Sequence, residues 1–289
     1  MDTVFEVTAN FPKAYLKEEN LITEAIKEEL GISEDVTSIA DELSSMVYDN
    51  IDKHPKQKLD NGYATNQFVI HKNIFGQNYT IRCINWFFGD TNIYRTIRSQ
   101  KPRGENVYKR DTHEIIMNFD WLNGRILGEH LYGAFQHELM HIFQDFKSEG
   151  DMQPKDSYKL AVANFNSKNE TIRDVSRLIY YSYEKELYAF ANQAYQGIIH
   201  MDNLRAVYGE VRNAIVDTNL YQTYQKIKEL YEKIKKYPNK ESINKLLLRF
   251  GTKYPQFCER CEYIIKQYAK YIGRVIVKAE ADLRTDIPY

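Results

Sequence analysis

Cysteines and long apolar runs are both scarce in this chain, and each shortage excludes a class of protein. The 289 residues include only three cysteines, Cys83, Cys258 and Cys261, too few for the disulfide framework of a small secreted scaffold. No apolar run approaches the roughly 20 residues that are needed to span a bilayer. The start of the sequence also lacks a basic stretch followed by an apolar core, so no signal peptide is visible. We therefore expect a cytoplasmic protein without a membrane partner.

Excess charge of one sign is lacking as well. The net charge is −1, and 43% hydrophobic with 27% charged residues is the composition of an ordinary globular protein. Lysines concentrate late in the chain, between Lys226 and Lys240. Acidic residues such as Glu229 and Glu232 interleave with them at helical pair spacing. This pattern favours a solvated helix face over a nucleic-acid surface, so nucleic acid is not an expected partner.

The most informative motif is the HExxH run HELMH at residues 137–141. Histidines four residues apart lie on one face of a helix, one turn from each other, where two neutral imidazoles can bind one Zn²⁺. A glutamate next to the first histidine can accept a proton from a metal-bound water. The segment 128–147 contains no proline, and its apolar residues recur at helical intervals. We predict a helix in which His137 and His141 are zinc ligands and Glu138 is the general base.

A catalytic zinc normally takes three protein ligands and leaves the fourth position for water. Residues 171–197 have the pattern of a second helix, and Glu186 lies on its otherwise apolar face. A lone carboxylate on a buried face is costly unless a charge or a metal compensates it. Glu186 is therefore the predicted third ligand, with Glu184 as the alternative. Asp145, one turn after His141, would crowd one side of the ion, and we interpret it as a surface or supporting group.

Together with HELMH, the pattern ExxA at residues 186–189 makes the chain resemble the gluzincin branch of the zincin metallopeptidases, over about residues 110–200. The resemblance implies a hydrolase that cleaves peptide or protein substrates with one catalytic zinc, held by the three ligands already named. The metzincin extension is absent, because this chain has Gln144 and Lys147 where that class has glycine and histidine. Thermolysin-like families carry an acidic residue where this chain has Phe190.

The predicted fold class is α+β, with a small, mostly antiparallel sheet, an HExxH helix and a helical C-terminal extension. The zincin-like domain would cover residues 1–200 and the extension residues 201–289. Within the domain we predict a helical part (1–60, with helices near 18–30 and 35–52), a strand-rich part (63–119, with a hairpin of strands 63–72 and 78–88) and active-site helices (128–200). An exposed edge of this sheet would offer a pairing surface to an extended peptide.

Three further features leave alternatives open. Cys258 and Cys261 form an isolated CxxC, for which two reduced structural cysteines are favoured over a redox or metal site. Tyr180, Tyr181 and Tyr183 are candidates for stabilising an oxyanion opposite the zinc, and the sequence does not rank them. The alternative to an enzyme is a binding or regulatory protein with a structural zinc, although such a site would have no use for a base.

Overall fold

The computed structural model describes residues 34–59, 62–101, 106–127, 131–147, 156–199 and 210–285. These residues form ten α-helices and six strands, so the predicted α+β class is confirmed. They divide into two compact units. We call the described residues up to 147 the sheet unit and those from 156 onward the helical unit. The predicted helix near 18–30 and the predicted domain boundary at 200/201 lie outside the described residues.

The sheet unit contains three helices and all six strands. In chain order they are α1 (Glu34–Ile51), β1 (Gln57–Leu59), β2 (Tyr63–Ile74), β3 (Gln77–Phe88), α2 (Thr91–Gln100), β4 (Val107–Lys109), a 3₁₀ turn (Arg110–Thr112), β5 (Glu114–Leu122), β6 (Arg125–Leu127) and α3 (Leu131–Lys147). The strand order is β1-β2-β3-β5-β4, and β6 pairs with β5. Four pairings are antiparallel and the pairing of β3 with β5 is parallel.

The predicted hairpin is confirmed as β2 and β3, both longer than expected. Its register runs to Ile74 opposite Gln77, which leaves a two-residue turn of Phe75 and Gly76. Both turn residues have positive φ, 49° and 84°, as in the type I′ turn that suits the twist of antiparallel strands. Asn123 and Gly124 form a turn of the same kind between β5 and β6.

Alternate residues of the strands fill the core of the sheet unit. Ile81 and Cys83 of β3 and Ile115 and Met117 of β5 are all fully buried. Helices α1 and α3 pack against each other, and Phe135 of α3 meets a phenylalanine of β5 in the core. Burying one such large side chain stabilises the fold by about 1.5–3 kcal/mol. This core fixes the position of α3, which carries the HExxH run.

Helix α2 was not predicted, and it explains how a parallel pair arises in a mostly antiparallel sheet. Parallel neighbours need a crossover connection, usually a helix, and α2 lies in the connection between β3 and β5. Asp90 caps it by accepting hydrogen bonds from the backbone N–H groups of Asn92 (2.8 Å) and Ile93 (2.9 Å). Ile97 is the buried residue of α2.

A buried ion pair ties α2 to β5. The Arg98 guanidinium donates to both carboxylate oxygens of Asp120, at 2.9 and 2.5 Å, and its side chain lies 4.5 Å from the centre of the Trp86 ring. The two paired side chains are only 10% and 3% exposed. Removing one partner of such a pair leaves the other charge desolvated and uncompensated.

We therefore expect the substitution Arg98→Met to lower the free energy of unfolding by about 2 kcal/mol or more. The double substitution Arg98→Met/Asp120→Leu removes both charges and should recover much of that loss. Urea unfolding followed by circular dichroism measures both changes. Equal destabilisation by the single and double variants would show that the ion pair is not the cause.

The helical unit contains the remaining seven helices. They are α4 (Asp156–Asn164), α5 (Glu170–Tyr181), α6 (Glu184–Ile199), α7 (Val211–Ala214), α8 (Asn219–Lys235), α9 (Lys240–Arg249) and α10 (Tyr254–Thr285), with a 3₁₀ turn (Ile215–Asp217) after α7. Helix α10 packs against α6 and α8, and Ile264, Tyr268 and Ile272 lie buried along it. The prediction that the late part of the chain is helical is confirmed for residues 210–285. No helix among the described residues is both long and apolar enough to cross a bilayer.

The prediction of one continuous helix over 171–197 is wrong, because α5 ends at Tyr181 and α6 begins at Glu184. The Ser182 hydroxyl donates to the carbonyl of Ile179 (2.7 Å), which satisfies a carbonyl at the end of α5. The Ser182 carbonyl accepts a hydrogen bond from Arg260 of α10 (3.2 Å). The break places Glu186 in the first turn of α6, where the helix dipole favours a negative charge.

Two lysines of the lysine-rich stretch, Lys233 and Lys235, pair with acidic residues. Lys233 donates to Glu170 (2.5 Å) and Asp174 (2.6 Å), and these two carboxylates raise its pKa. Lys235 pairs with Glu232 at 2.9 Å. These pairs support the interpretation of a solvated helix face.

Candidate metal centre

Helix α3 places the HExxH run against the sheet. The predicted helix is confirmed from Leu131 to Lys147, and residues 128–130 lie outside the described residues. Phe135, Leu139 and Ile142 bury the inner face of α3. His137 and His141 lie at the border of this face and are half-buried. Both imidazoles are thus held by a helix that is fixed in the core.

The two imidazoles approach each other closely. Their Nε2 atoms are 3.3 Å apart, and the rings are nearly perpendicular, at 83°. Two nitrogens that each lie about 2.05 Å from a tetrahedral zinc are separated by about 3.3 Å, so the observed spacing fits that metal. An N–H···N hydrogen bond between the rings spans a similar distance. The spacing is therefore compatible with zinc without requiring it.

Glu138, between the two histidines in the chain, is buried with 4% exposure. A carboxylate that is removed from bulk water interacts strongly with nearby charges and protons. This environment suits a general base, and that role of Glu138 stays a prediction.

In the helical unit, Glu186 is buried with 1% exposure, and two tyrosines hold its carboxylate. The Tyr158 hydroxyl donates to Oε1 at 2.8 Å and the Tyr180 hydroxyl donates to Oε2 at 2.6 Å. The two tyrosine rings stack with their centres 5.6 Å apart. An ionised carboxylate accepts hydrogen bonds on both oxygens, and these two bonds fix the orientation of Glu186.

The alternative ligand, Glu184, is exposed and accepts a hydrogen bond from Tyr263 at 3.1 Å. Two residues apart at the start of α6, the two glutamates therefore differ completely in environment. The structure places the buried carboxylate at position 186, as the argument from the apolar face predicted. That argument assumed one continuous helix over 171–197. Glu186 is buried although the helix is broken at residues 182–183, because its side chain lies on the buried face of α6.

The three tyrosine candidates for oxyanion stabilisation make different contacts in the structure. Tyr180 contacts the Glu186 carboxylate, and Tyr183 shares a hydrogen bond of 2.6 Å with Ser157. Tyr181 is half-buried, with its ring edge-on to Phe165. The role of Tyr158 was missed, because nothing in its own neighbourhood of sequence signals a partner 28 residues away.

Asp145 and the cysteines are the remaining residues that the sequence singled out. Asp145 is half-buried in the sheet unit, 3.7 Å from Arg110. Cys258 and Cys261 are free thiols on α10. A redox CxxC motif would instead be expected at the start of a helix that directly follows a strand. Burial raises the pKa of Cys261 above its ordinary value, and burial raises the pKa of Cys83 to about 12. Buried thiols of this kind are unreactive.

No protein-family model, no curated protein and no solved structure matches this chain.

Proposed function

We propose that the protein is a zinc-dependent metallopeptidase in which His137, His141 and Glu186 bind one catalytic zinc and Glu138 is the general base. The observation that carries the proposal is the HExxH run on α3, whose two Nε2 atoms are 3.3 Å apart. The three proposed ligands offer two imidazole nitrogens and one carboxylate oxygen and could hold a metal ion. Two imidazoles and one carboxylate are a donor set of catalytic zinc sites, which keep a position for water.

The proposed roles of the side chains follow from their chemistry. Bound zinc lowers the pKa of water to ~7 and polarises a carbonyl group. Glu138 would accept the proton of the attacking water and return it to the leaving amine. Tyr158 and Tyr180 would fix the orientation of Glu186, as hydrogen bonds to a ligating carboxylate usually do. A purely structural zinc would have no use for Glu138, and this favours the enzyme over the non-enzymatic alternative.

The sheet offers a place for an extended substrate. Strand β4 is the last strand of the sheet beyond β5 and packs against α3. Val107 and Lys109 of β4 are exposed. An extended peptide can add to such an edge through backbone hydrogen bonds, and we propose peptide or protein chains as the substrate class.

Removal of the metal tests the proposal. We expect that a zinc chelator abolishes hydrolysis of a fluorescently labelled unfolded protein, because neither water nor carbonyl is then activated. One equivalent of Zn²⁺ added after removal of the chelator should restore the rate, and the same amount of Mg²⁺ should not. Undiminished hydrolysis by protein shown to be zinc-free by mass spectrometry would contradict the proposal.

A further inference from the structure

The sheet unit encloses a cavity of about 450 Å³ beside α3, within the range of small-ligand pockets, about 300–1,000 Å³. Its walls come from the β2–β3 turn, the start of β3, the segment 108–113 and the last turns of α3. Asp145 lines it and lies one helical turn beyond His141, about 6 Å along the helix axis. The cavity therefore reaches to within about one helical turn of His141.

Two phenylalanines and two tyrosines line this cavity. Phe75 and Phe146 stack with their ring centres 5.3 Å apart, and Phe146 is 57% exposed. Tyr79 and Tyr108 form a second pair, with their ring centres 6.2 Å apart. The face of an aromatic ring is electronegative, so it attracts cations and disfavours anions.

The acidic residue that lines the cavity is Asp145, whose side chain is only 15% exposed. Its carboxylate forms an ion pair with the Arg110 guanidinium at 3.7 Å. A ligand cation that enters would share Asp145 with Arg110. Burial raises the pKa of Tyr79 and of Tyr108, and both hydroxyls are neutral near pH 7.

One residue with an unfavourable backbone conformation, Phe75, lies at the same place. Three non-glycine residues of the described chain have positive φ: Phe75 (49°), His113 (48°) and Asn123 (51°). Asparagine and histidine tolerate this conformation, whereas a bulky residue such as phenylalanine is strained there. Phe75 and His113 both line the cavity, and Asn123 does not. Strain of this kind persists where the surroundings impose it, often at binding sites.

We infer that this cavity binds a cationic side chain of lysine or arginine size, with its ammonium or guanidinium group on Asp145 and its stem between the aromatic rings. The inference rests on the proposed peptidase function in one respect. If peptides are cleaved beside the zinc, the cavity selects substrates that carry lysine or arginine near the scissile bond.

Small probes test the cavity independently of any catalysis. Butylguanidinium and butylammonium should bind to the full chain, and butylurea, the neutral analogue of the first, should bind at least about tenfold more weakly, because it forms no ion pair. Chemical-shift changes on titration of the isotope-labelled protein give the affinities and locate the probe. Binding of butylurea as tight as that of butylguanidinium, or no binding of either cation, would overturn the inference.

Variants of the cavity residues distinguish a loss of cation binding from a loss of protein stability. Asp145→Asn should weaken binding of butylguanidinium at least about tenfold. Phe75→Asn introduces a residue that the type I′ turn prefers, so it should leave the protein as stable or more stable while it weakens binding. Asn123→Gly, the matched change at the third positive-φ position, should leave binding unchanged. Wild-type affinity in both cavity variants would refute the assignment.

Peptide cleavage then distinguishes the two proposals. Peptides with arginine or lysine at one position should be cleaved at least about tenfold faster than the same peptides with norleucine. If butylguanidinium binds but no peptide is cleaved, the peptidase proposal fails and the cation site stands. If cleavage occurs without this preference and no probe binds, the cation site fails and the peptidase proposal stands.

Discussion

Replacing Glu138 with glutamine should lower the rate of peptide hydrolysis by about 10²–10⁴-fold, the usual contribution of a general base. Glutamine has nearly the same shape but cannot accept the proton of the attacking water. Because Glu138 is not a proposed ligand, the variant should bind zinc as well as the unaltered protein. Initial rates on a labelled unfolded protein, with zinc content measured on the same samples, give both results.

A matched control is available at the start of α6. Glu184→Gln makes the same chemical change at an exposed carboxylate and should leave both rate and zinc content unchanged. Full activity of the zinc-loaded Glu138→Gln variant would contradict the assignment of the base. Loss of zinc from that variant would instead make Glu138 a ligand.

The second large effect is expected at the metal ligands. His137→Ala and His141→Ala should each remove most of the zinc, since two remaining ligands rarely hold the ion tightly. Glu186→Gln should also weaken zinc binding, because a neutral amide oxygen replaces the carboxylate while the shape is kept. Zinc content after dialysis against a weak chelator, measured by mass spectrometry, ranks the variants.

Two controls accompany the ligand variants. His71 is an exposed histidine of β2, and His71→Ala should keep its zinc, as should Glu184→Gln. Circular dichroism shows whether each variant is folded. Full zinc in both folded histidine variants would contradict the site, and zinc loss from Glu184→Gln but not from Glu186→Gln would move the third ligand by two residues.

Local patterns predicted the parts of the fold that depend on neighbouring residues. Helix α3 follows from the helical period of its apolar residues, and the β2–β3 hairpin follows from two apolar strands around a short turn. The burial of Glu186 could be predicted because a carboxylate occupied an apolar position of a helical pattern. In each case the signal lies within about one helix or one hairpin.

Features that depend on distant residues could not be predicted. The break between α5 and α6 involves Arg260, almost 80 positions away in the chain. The parallel pairing of β3 with β5 depends on the crossover through α2. Tyr158 reaches Glu186 only once α4 and α6 are packed in the helical unit. The cavity needs three separate segments and leaves no contiguous pattern in the sequence.

X-ray absorption at the zinc edge, on protein loaded with one equivalent of Zn²⁺, tests the central claim most directly. The account predicts four light-atom ligands at about 2.0–2.1 Å, with the scattering pattern of two imidazoles, one carboxylate oxygen and one water. Sulfur ligands at about 2.3 Å would place the metal at cysteines, and four protein ligands without a water would make the site structural. Either result would contradict a catalytic zinc held by His137, His141 and Glu186.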